Sequence, residues 1–320
     1  MRALRFERYG SSDVLRVEDV AEPLPRPGEA KVRVHAVSLN PIDWKLRAGD
    51  FRMIPLLRGP PRGLGCDFAG EIVGIGGGAT DRHVGERVFG SLLPFAREGA
   101  LAEYVAVAYD RLLPLPQAID DTVAAALPVS AGTALQGLID EAGVVAGQRV
   151  LVNGAAGGVG HFTLQIAKHL GTRVVAVCSA ANAEFVRGLG ADEVVDYARD
   201  DFTKRDDRFD VVFDVAGTSS FEAAKRVLTE FGCYLNTLGT MTAIATTVMS
   251  AVFARLTSRQ RAIPIALRNG PAMWDRLLQL TASGVLRPHI ARTIGLDEVA
   301  SALREMETGH GRGKIVVRVA

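Results

Sequence analysis

The chain has 320 residues, of which 48% are hydrophobic and 23% charged, and its formal net charge is +1 at pH 7. This length predicts about two domains with substantial apolar cores, and the near-neutral charge gives no reason to expect nucleic acid or a membrane surface as main partner. No apolar run reaches the ~18 residues of a membrane-spanning helix, and the N-terminus lacks the apolar core of a signal peptide. Three widely separated cysteines favour a reducing, cytoplasmic location.

The first part of the chain, residues 1–122, has the pattern of a β-rich domain. Residues 31–37 alternate apolar and polar side chains, as a half-buried strand does, and 71–75 and 86–90 are short strand-like runs between glycine-rich turns. Short strands with frequent turns are typical of a small barrel or sandwich. We therefore expect a compact β-rich unit here.

From residue 123 to 268 apolar strand patterns alternate with helical patterns, which predicts a parallel, doubly wound sheet. The predicted strands are 149–153, 173–178, 193–195, 210–215 and 232–237, with a sixth at 262–266 whose proline favours an edge position. Residues 241–260 fit a helix or a loop. Helices are expected at 271–284 and 296–308, and a last strand at 313–319 is too short to fold alone. We expect that strand to rejoin the first domain, so that 1–122 and 269–320 form one domain and 123–268 the other.

The glycine-rich stretch 154–160 lies between the predicted strand 149–153 and a helix whose apolar residues recur at spacings of 3 or 4. Aligned to G-x-G-x-x-G, it reads Ala155, Gly157 and Gly160, with alanine at the first position. Backbone N–H groups and the helix dipole at such a turn favour phosphate. We expect Ala155, Ala156, Gly157, Gly158, Val159 and Gly160 to hold a dinucleotide, the alternative being a glycine-rich turn without ligand.

Six motifs in order resemble the zinc-independent quinone oxidoreductase branch of the medium-chain dehydrogenase/reductase superfamily, with its alkenal and enone reductases. They are 38–44 (SLNPIDW), 65–70 (GCDFAG), 124–135 (AAALPVSAGTAL), 153–160 (NGAAGGVG), 188–197 (GLGADEVVDY) and 309–316 (GHGRGKIV). The resemblance implies a β-rich GroES-like catalytic domain and a Rossmann-type dinucleotide-binding domain, an α/β architecture. It also implies a homodimer.

The positions at which zinc-dependent relatives carry catalytic ligands match Asn40, Cys66 and about Val129. Only one of these is a soft ligand, whereas a catalytic zinc normally has three protein ligands. No cysteine lies between Cys66 and Cys178, so the clustered cysteines of a structural zinc site are also missing. We therefore expect no metal.

The predicted second strand is followed by Ser179-Ala-Ala-Asn182, without the carboxylate that binds the ribose 2′-hydroxyl of NAD. This favours NADPH, with Ser179 as a possible donor to the 2′-phosphate; many NADPH-using relatives carry lysine where Asn182 stands. The resemblance places Tyr197 beside the adenosine phosphate, Thr133 beside the nicotinamide carboxamide, and Leu238 and Gly239 in the loop over the nicotinamide. The alternatives are a packed strand-end aromatic for Tyr197 and a helix cap or core residue for Thr133.

The family's active-site segment N-P-x-D-x-Y-x-R-x-G-x-Y is kept here except that its two tyrosines are Lys45 and Phe51. Asn40 would bond the substrate oxygen or the nicotinamide ribose, or else form a turn before proline; Asp43 would orient that network or cap a helix. Lys45 is a candidate proton donor or a solvated lysine. Trp44 and Phe51 would line a substrate pocket, and Trp44 is equally compatible with a core position.

The C-terminal motif contains Arg312 and Lys314, which match basic residues near the family's cleft and would contact cofactor phosphate or substrate, or else lie on a solvated strand face. Without zinc, hydride transfer suits quinones and conjugated enones, whose acceptor carbon is already electrophilic. We therefore expect an NADPH-dependent quinone, enone or alkenal reductase. An enoyl-thioester reductase of the same fold and a non-catalytic NADPH-binding redox sensor or partner-binding module remain open.

Overall fold

The computed structural model describes residues 1–52, 59–60, 62–78, 80–93, 96, 98–237, 258–309 and 311–319. Within that part the chain forms two compact units. The first contains Met1–Val129, Asn269–Ala282 and Pro288–Ala320, and the second contains Ser130–Arg268 and Ser283–Arg287. No helix in these ranges is both long enough and apolar enough to cross a bilayer.

The strands follow in chain order, numbered β1 to β16: β1 (Arg2–Phe6), β2 (Leu15–Asp19), β3 (Glu29–Ser38), β4 (Arg62–Gly63), β5 (Asp67–Ile75), β6 (Arg87–Ser91), β7 (Tyr104–Ala108), β8 (Leu112–Pro114), β9 (Arg149–Asn153), β10 (Arg173–Cys178), β11 (Glu193–Asp196), β12 (Phe209–Asp214), β13 (Leu228–Thr237), β14 (Arg261–Ile265), β15 (Ile290–Gly295) and β16 (Lys314–Arg318). The α-helices are α1 (Pro41–Ala48), α2 (Asp121–Ala125), α3 (Pro128–Leu135), α4 (Gly160–His169), α5 (Ala183–Gly188), α6 (Phe221–Ala224), α7 (Pro271–Ala282) and α8 (Val299–Met306).

The first unit is built on a large mixed sheet with the order β15-β16-β3-β5-β6-β8, to which β7 adds by pairing with β3. A small sheet, β2-β1-β4, completes it. The alternation predicted for β3 is present, since Val32, Val34 and Ala36 are buried while the residues between them are partly exposed. β16 pairs antiparallel with β3, so the C-terminal strand does rejoin the first unit as predicted.

The second unit is a parallel six-stranded sheet with the order β11-β10-β9-β12-β13-β14. Apolar runs such as 150–152 are fully buried, as expected for strands covered on both faces. Both β9 and β10 have the bounds that the sequence predicted. β14 is an edge strand, which explains why Pro264 is tolerated in it.

The order of the strands reverses at β9, which pairs with β10 on one side and with β12 on the other. In open α/β sheets such a topological switch point leaves a crevice outside the carboxyl ends of the two diverging strands, where ligands bind. The carboxyl ends of β9 and β12 therefore mark the candidate site of this unit.

The unit boundaries differ from the predicted domain boundaries in two places. The first unit continues to Val129 because α2, whose Ala124 and Ala125 are fully buried, packs on strands of the large sheet. Residues 283–287 group with the second unit, where the Arg287 N–H donates to Gln165 Oε1 at 2.7 Å. The segment 241–257, expected to be helix or loop, lies outside the described residues.

Candidate active site

The turn between β9 and α4 is tighter than the aligned motif suggests. Gly154, not Ala155, has the left-handed backbone conformation, with φ +83°. The N–H groups of Gly154 and Ala155 both donate to Val177 O at 3.1 Å, which anchors the turn to β10. The role expected of the motif's first glycine therefore falls one residue earlier than predicted.

The two remaining motif glycines serve different purposes. A Cβ on Gly160 would lie 2.7 Å from Ala155 Cα and closer still to Gly154 O, so glycine is required for α4 to start beside the strand. A Cβ on Gly157 would meet only Gly154 O, at 3.4 Å. The backbone at Gly157 is thus open, as close approach of a pyrophosphate requires. Among the other predicted cradle residues, Ala155 and Ala156 are buried, and Gly158 and Val159 are partly exposed.

The carboxyl ends of β10 and β11 bring together the residues predicted for the adenosine end. The Tyr197 N–H donates to Cys178 O at 3.2 Å, and the side chain of Tyr197 is 52% exposed, so it is not a packed strand-end aromatic. The Asn182 amide donates to Ser179 Oγ at 3.3 Å. No carboxylate stands in the segment 179–182, which leaves this edge compatible with a phosphate.

The switch point carries a buried polar network that sequence reasoning missed. Asn153 and Asp214, the last residues of β9 and β12, are joined by a hydrogen bond from Asn153 Nδ2 to Asp214 Oδ1 of 2.8 Å. The Tyr234 hydroxyl donates to Asp214 Oδ2 at 2.9 Å and accepts from Asn236 Nδ2 at 3.1 Å. A signal was available, because Asn153, Asp214 and Asn236 each lie near the end of a predicted buried strand.

Thr133 is the sixth residue of α3, which starts at Pro128, and is 7% exposed. It therefore does not act as an N-terminal cap, which was one of the two alternatives. Leu238 and Gly239, predicted to cover the nicotinamide, lie outside the described residues.

In the first unit Asp43 is a completely buried capping residue. Its Oδ2 accepts the Asn40 N–H at 2.8 Å, at the start of α1, and its Oδ1 accepts the Gly65 N–H at 2.9 Å. Burial raises the pKa of Asp43 to about 6, although these two N–H donors oppose the rise. The structure thus shows Asp43 in the capping role.

The Asn40 amide, predicted to face substrate or ribose, is 1% exposed and is engaged at both ends. Its Nδ2 donates to Asp67 Oδ2 at 3.0 Å, and its Oδ1 accepts from Lys314 Nζ at 2.7 Å. The physical reason is the buried carboxylate of Asp67 behind it, which needs donors. In this structure the Asn40 amide is therefore part of a buried network, and its catalytic role stays a prediction.

Lys314, predicted to contact cofactor phosphate or substrate, belongs to the same buried network. It is 2% exposed, and its Nζ donates to Leu39 O at 2.9 Å as well as to Asn40. Burial lowers the pKa of Lys314 to about 8, while the charges of Asp67 and Asp43 oppose the fall. The ammonium is the internal counter-charge of two buried carboxyl groups.

Other residues predicted for the site lie nearer the surface. Lys45 and Trp44 are half-buried neighbours on α1, with Lys45 Nζ 5.4 Å from the Trp44 ring centroid, and burial lowers the pKa of Lys45. Phe51 is buried. Arg312 is exposed, and its charge contributes, after burial, to a lowered pKa of His289.

Comparison with known proteins accounts for both units. A family model described as "Alcohol dehydrogenase GroES-like domain" matches residues 26–117, and one described as "Zinc-binding dehydrogenase" matches 189–317. The chain is 33% identical to the quinone-oxidoreductase homolog, chloroplastic, of Spinacia oleracea, over 99% of this chain and 98% of that protein. The chain belongs to the quinone oxidoreductases of the medium-chain dehydrogenase/reductase superfamily.

Other members of this family are also similar along the whole chain. The NADPH-dependent alkenal/one oxidoreductase, chloroplastic, of Arabidopsis thaliana is 33% identical over 99% of this chain and 79% of its own length. The solved structure of the quinone oxidoreductase from Coxiella burnetii matches with a TM-score of 0.91 at 32% identity, covering 100% of this chain and 99% of its own. These findings confirm the predicted family and the predicted GroES-like and Rossmann-type architecture.

The zinc in one family description does not fit the donors present here. Among the described residues no group of three or more His, Cys, Asp or Glu side chains is arranged to hold a metal ion. Of the three matched positions, Asn40 is bound within the protein, and burial raises the pKa of the Cys66 thiol well above its usual value. The Lys314 ammonium in the same cluster would repel a second cation.

Proposed function

We propose that this protein is an NADPH-dependent oxidoreductase that transfers a hydride to a quinone or to the conjugated double bond of an α,β-unsaturated carbonyl, without zinc. The observation that carries this is the open glycine turn at Gly157, at the switch point of the parallel sheet. The lack of a carboxylate in 179–182 favours the phosphorylated cofactor. The relatives described above are named a quinone-oxidoreductase homolog and an NADPH-dependent alkenal/one oxidoreductase.

The residues of the second unit have distinct binding tasks in this proposal. Residues 154–160 hold the pyrophosphate, and Ser179 and Tyr197 hold the adenosine end. The contact of Arg312, a residue of the first unit, with cofactor phosphate stays a prediction. Bound NADPH would supply a hydride from C4 of its ring. The protein's task is to hold the acceptor carbon within about 3.5 Å of that atom and to exclude water.

The proton that completes reduction of an enone has one candidate donor in the described active-site segment. Lys45 replaces the first family tyrosine, is half-buried beside Trp44, and has a lowered pKa because of burial. A Lys45→Met variant is expected to reduce kcat with enones more than with quinones, since a quinone product can take its protons from water. Equal losses with both substrates would instead assign Lys45 to binding.

The test is the decay of NADPH absorbance with a panel of quinones and enones. We expect turnover without added metal, unchanged by a chelator, and no stoichiometric zinc in the purified protein. Activity confined to enoyl thioesters would favour that class of reductase. Tight NADPH binding without turnover would favour a redox sensor, an alternative that the loss of both family tyrosines keeps open. A homodimer and a cytoplasmic location are part of the proposal, testable by sedimentation and by cell fractionation.

A further inference from the structure

The row of residues at the switch point is aligned by the sheet itself. Asp214 pairs in register with Asn153 of β9 on one side and with Asn236 of β13 on the other. All three strands are parallel, so the three side chains lie at the same edge, where a ligand binds in this architecture. A buried carboxylate in this row therefore adjoins the cofactor crevice.

Asp214 is fully buried and receives four donors. Asn153 Nδ2 and the Gly217 N–H donate to Oδ1 at 2.8 and 2.9 Å. The Ser219 N–H and the Tyr234 hydroxyl each donate to Oδ2 at 2.9 Å. Hydrogen bonds to a charged acceptor are stronger than neutral ones, so this one carboxylate determines the course of the loop that follows β12.

That loop, residues 215–219, forms one wall of the glycine turn. The N–H groups of Val215 and Ala216 donate to Asn153 O at 3.0 and 3.1 Å. A Cβ on Gly154 would lie 3.0 Å from both the Cβ and the N of Ala216. The loop is thus packed against the turn that we assign to the pyrophosphate, and a displaced loop would change the shape of the turn.

The network also orients a side chain on the next strand. Asn236 Nδ2 donates to the Tyr234 hydroxyl at 3.1 Å, and that hydroxyl donates to Asp214. Burial, and then the Asp214 carboxylate, raise the pKa of Tyr234, so the phenol stays protonated and can donate. The amide of Asn236 is therefore held in one orientation.

We propose that Asp214 is a positioning residue for the nicotinamide half of the cofactor, acting through the loop 215–219 and through Tyr234 on Asn236. This rests on the proposed function, which supplies NADPH as the occupant. A dinucleotide crosses the switch point, with one half over each side of the sheet. Ser179 and Tyr197 lie on the β10–β11 side, whereas Asp214 lies on the opposite side of β9.

The experiment compares two ligands by calorimetry on the Asp214→Asn variant: NADPH and adenosine 2′-monophosphate, which represents the adenosine end without the 5′-phosphate that would occupy the glycine turn. We expect NADPH to bind at least about tenfold more weakly than to the unsubstituted protein, and the half-ligand to bind within about twofold. Equal weakening of both ligands, or of neither, would overturn the proposal. Failure of the unsubstituted protein to bind either ligand would instead overturn the proposed function.

Asp210→Asn is the matched control on the same strand. Asp210 also accepts a backbone N–H, that of Arg149 at 2.8 Å, but at the amino end of β12, away from the crevice. It is expected to lower thermal stability without a selective loss of NADPH affinity.

If Asp214→Asn does not fold, Tyr234→Phe keeps the loop and releases Asn236. We expect it to lower kcat or raise KM for NADPH, with affinity for adenosine 2′-monophosphate retained. Unchanged kinetics would contradict the part of the proposal that runs through Tyr234.

Discussion

Replacing Lys314 by methionine keeps the length of the side chain and removes an ammonium whose charge acts on two buried carboxyl groups, Asp43 and Asp67. Lys314 is 2% exposed and Asp67 is 0% exposed. In the variant, Asp67 loses the positive charge that most opposes the effect of burial on its pKa. Breaking a buried pair by removing one partner costs about 3–5 kcal/mol. For units of this size that corresponds to a fall in Tm on the order of 6–20 °C.

The pH dependence gives the reasoning a sharper test. Burial already raises the pKa values of Asp43 and Asp67, and the Lys314 charge opposes that rise. Without the ammonium both pKa values should therefore rise further. The destabilisation should therefore be largest at neutral and alkaline pH, where the carboxyls would have to ionise, and should shrink towards pH ~4, where they stay protonated.

Thermal unfolding monitored by circular dichroism across this pH range measures the effect. Lys31→Met is the control, because partly exposed Lys31 pairs with exposed Glu22, and ion pairs near the surface contribute about 0–1 kcal/mol. Adding Asp67→Asn to Lys314→Met should recover part of the loss. A Lys314→Met protein as stable as the unsubstituted one at every pH would refute the counter-charge assignment.

Three further predictions concern the turn, the cofactor and Asp43. Gly157→Asp should abolish NADPH binding in calorimetry with little change in Tm. Gly160→Ala should weaken NADPH binding and also lower Tm, because the new Cβ would clash with backbone atoms of Gly154 and Ala155. Equal losses of Tm in the two variants would contradict this. Asn182→Lys should tighten NADPH about tenfold and leave NADH unchanged, and a gain for both would argue against a 2′-phosphate at this edge. The pKa of Asp43 is raised from 3.8 to about 6 in the folded protein, so this group's contribution to stability is present below pH 3.8 and is lost as the pH rises through 6. The Tm of the unsubstituted protein relative to that of Asp43→Asn should therefore fall between these two pH values. A Tm difference that stays constant would contradict this.

The fold followed from the sequence because its signals are local. Short apolar runs identified β9 and β10 to the residue. Pro264 in the last strand of the second unit indicated that this strand lies at the edge of the sheet, as it does. The glycine motif located the phosphate turn, although Gly154 and not Ala155 takes the left-handed conformation. Each of these depends on neighbours within a few residues.

The roles of polar side chains depended on partners that are remote in the chain. Asn40 is followed by proline in a motif that resembles an active-site segment, yet its amide is engaged by Asp67 and Lys314, 27 and 274 residues away. Asp214 meets Asn153 and Tyr234 only because three parallel strands end at one edge. Periodicity and motif spacing in the sequence determined the two-unit architecture and the phosphate turn. Only the tertiary structure decided which polar groups are buried and paired, because the desolvation of a charge depends on everything packed around it.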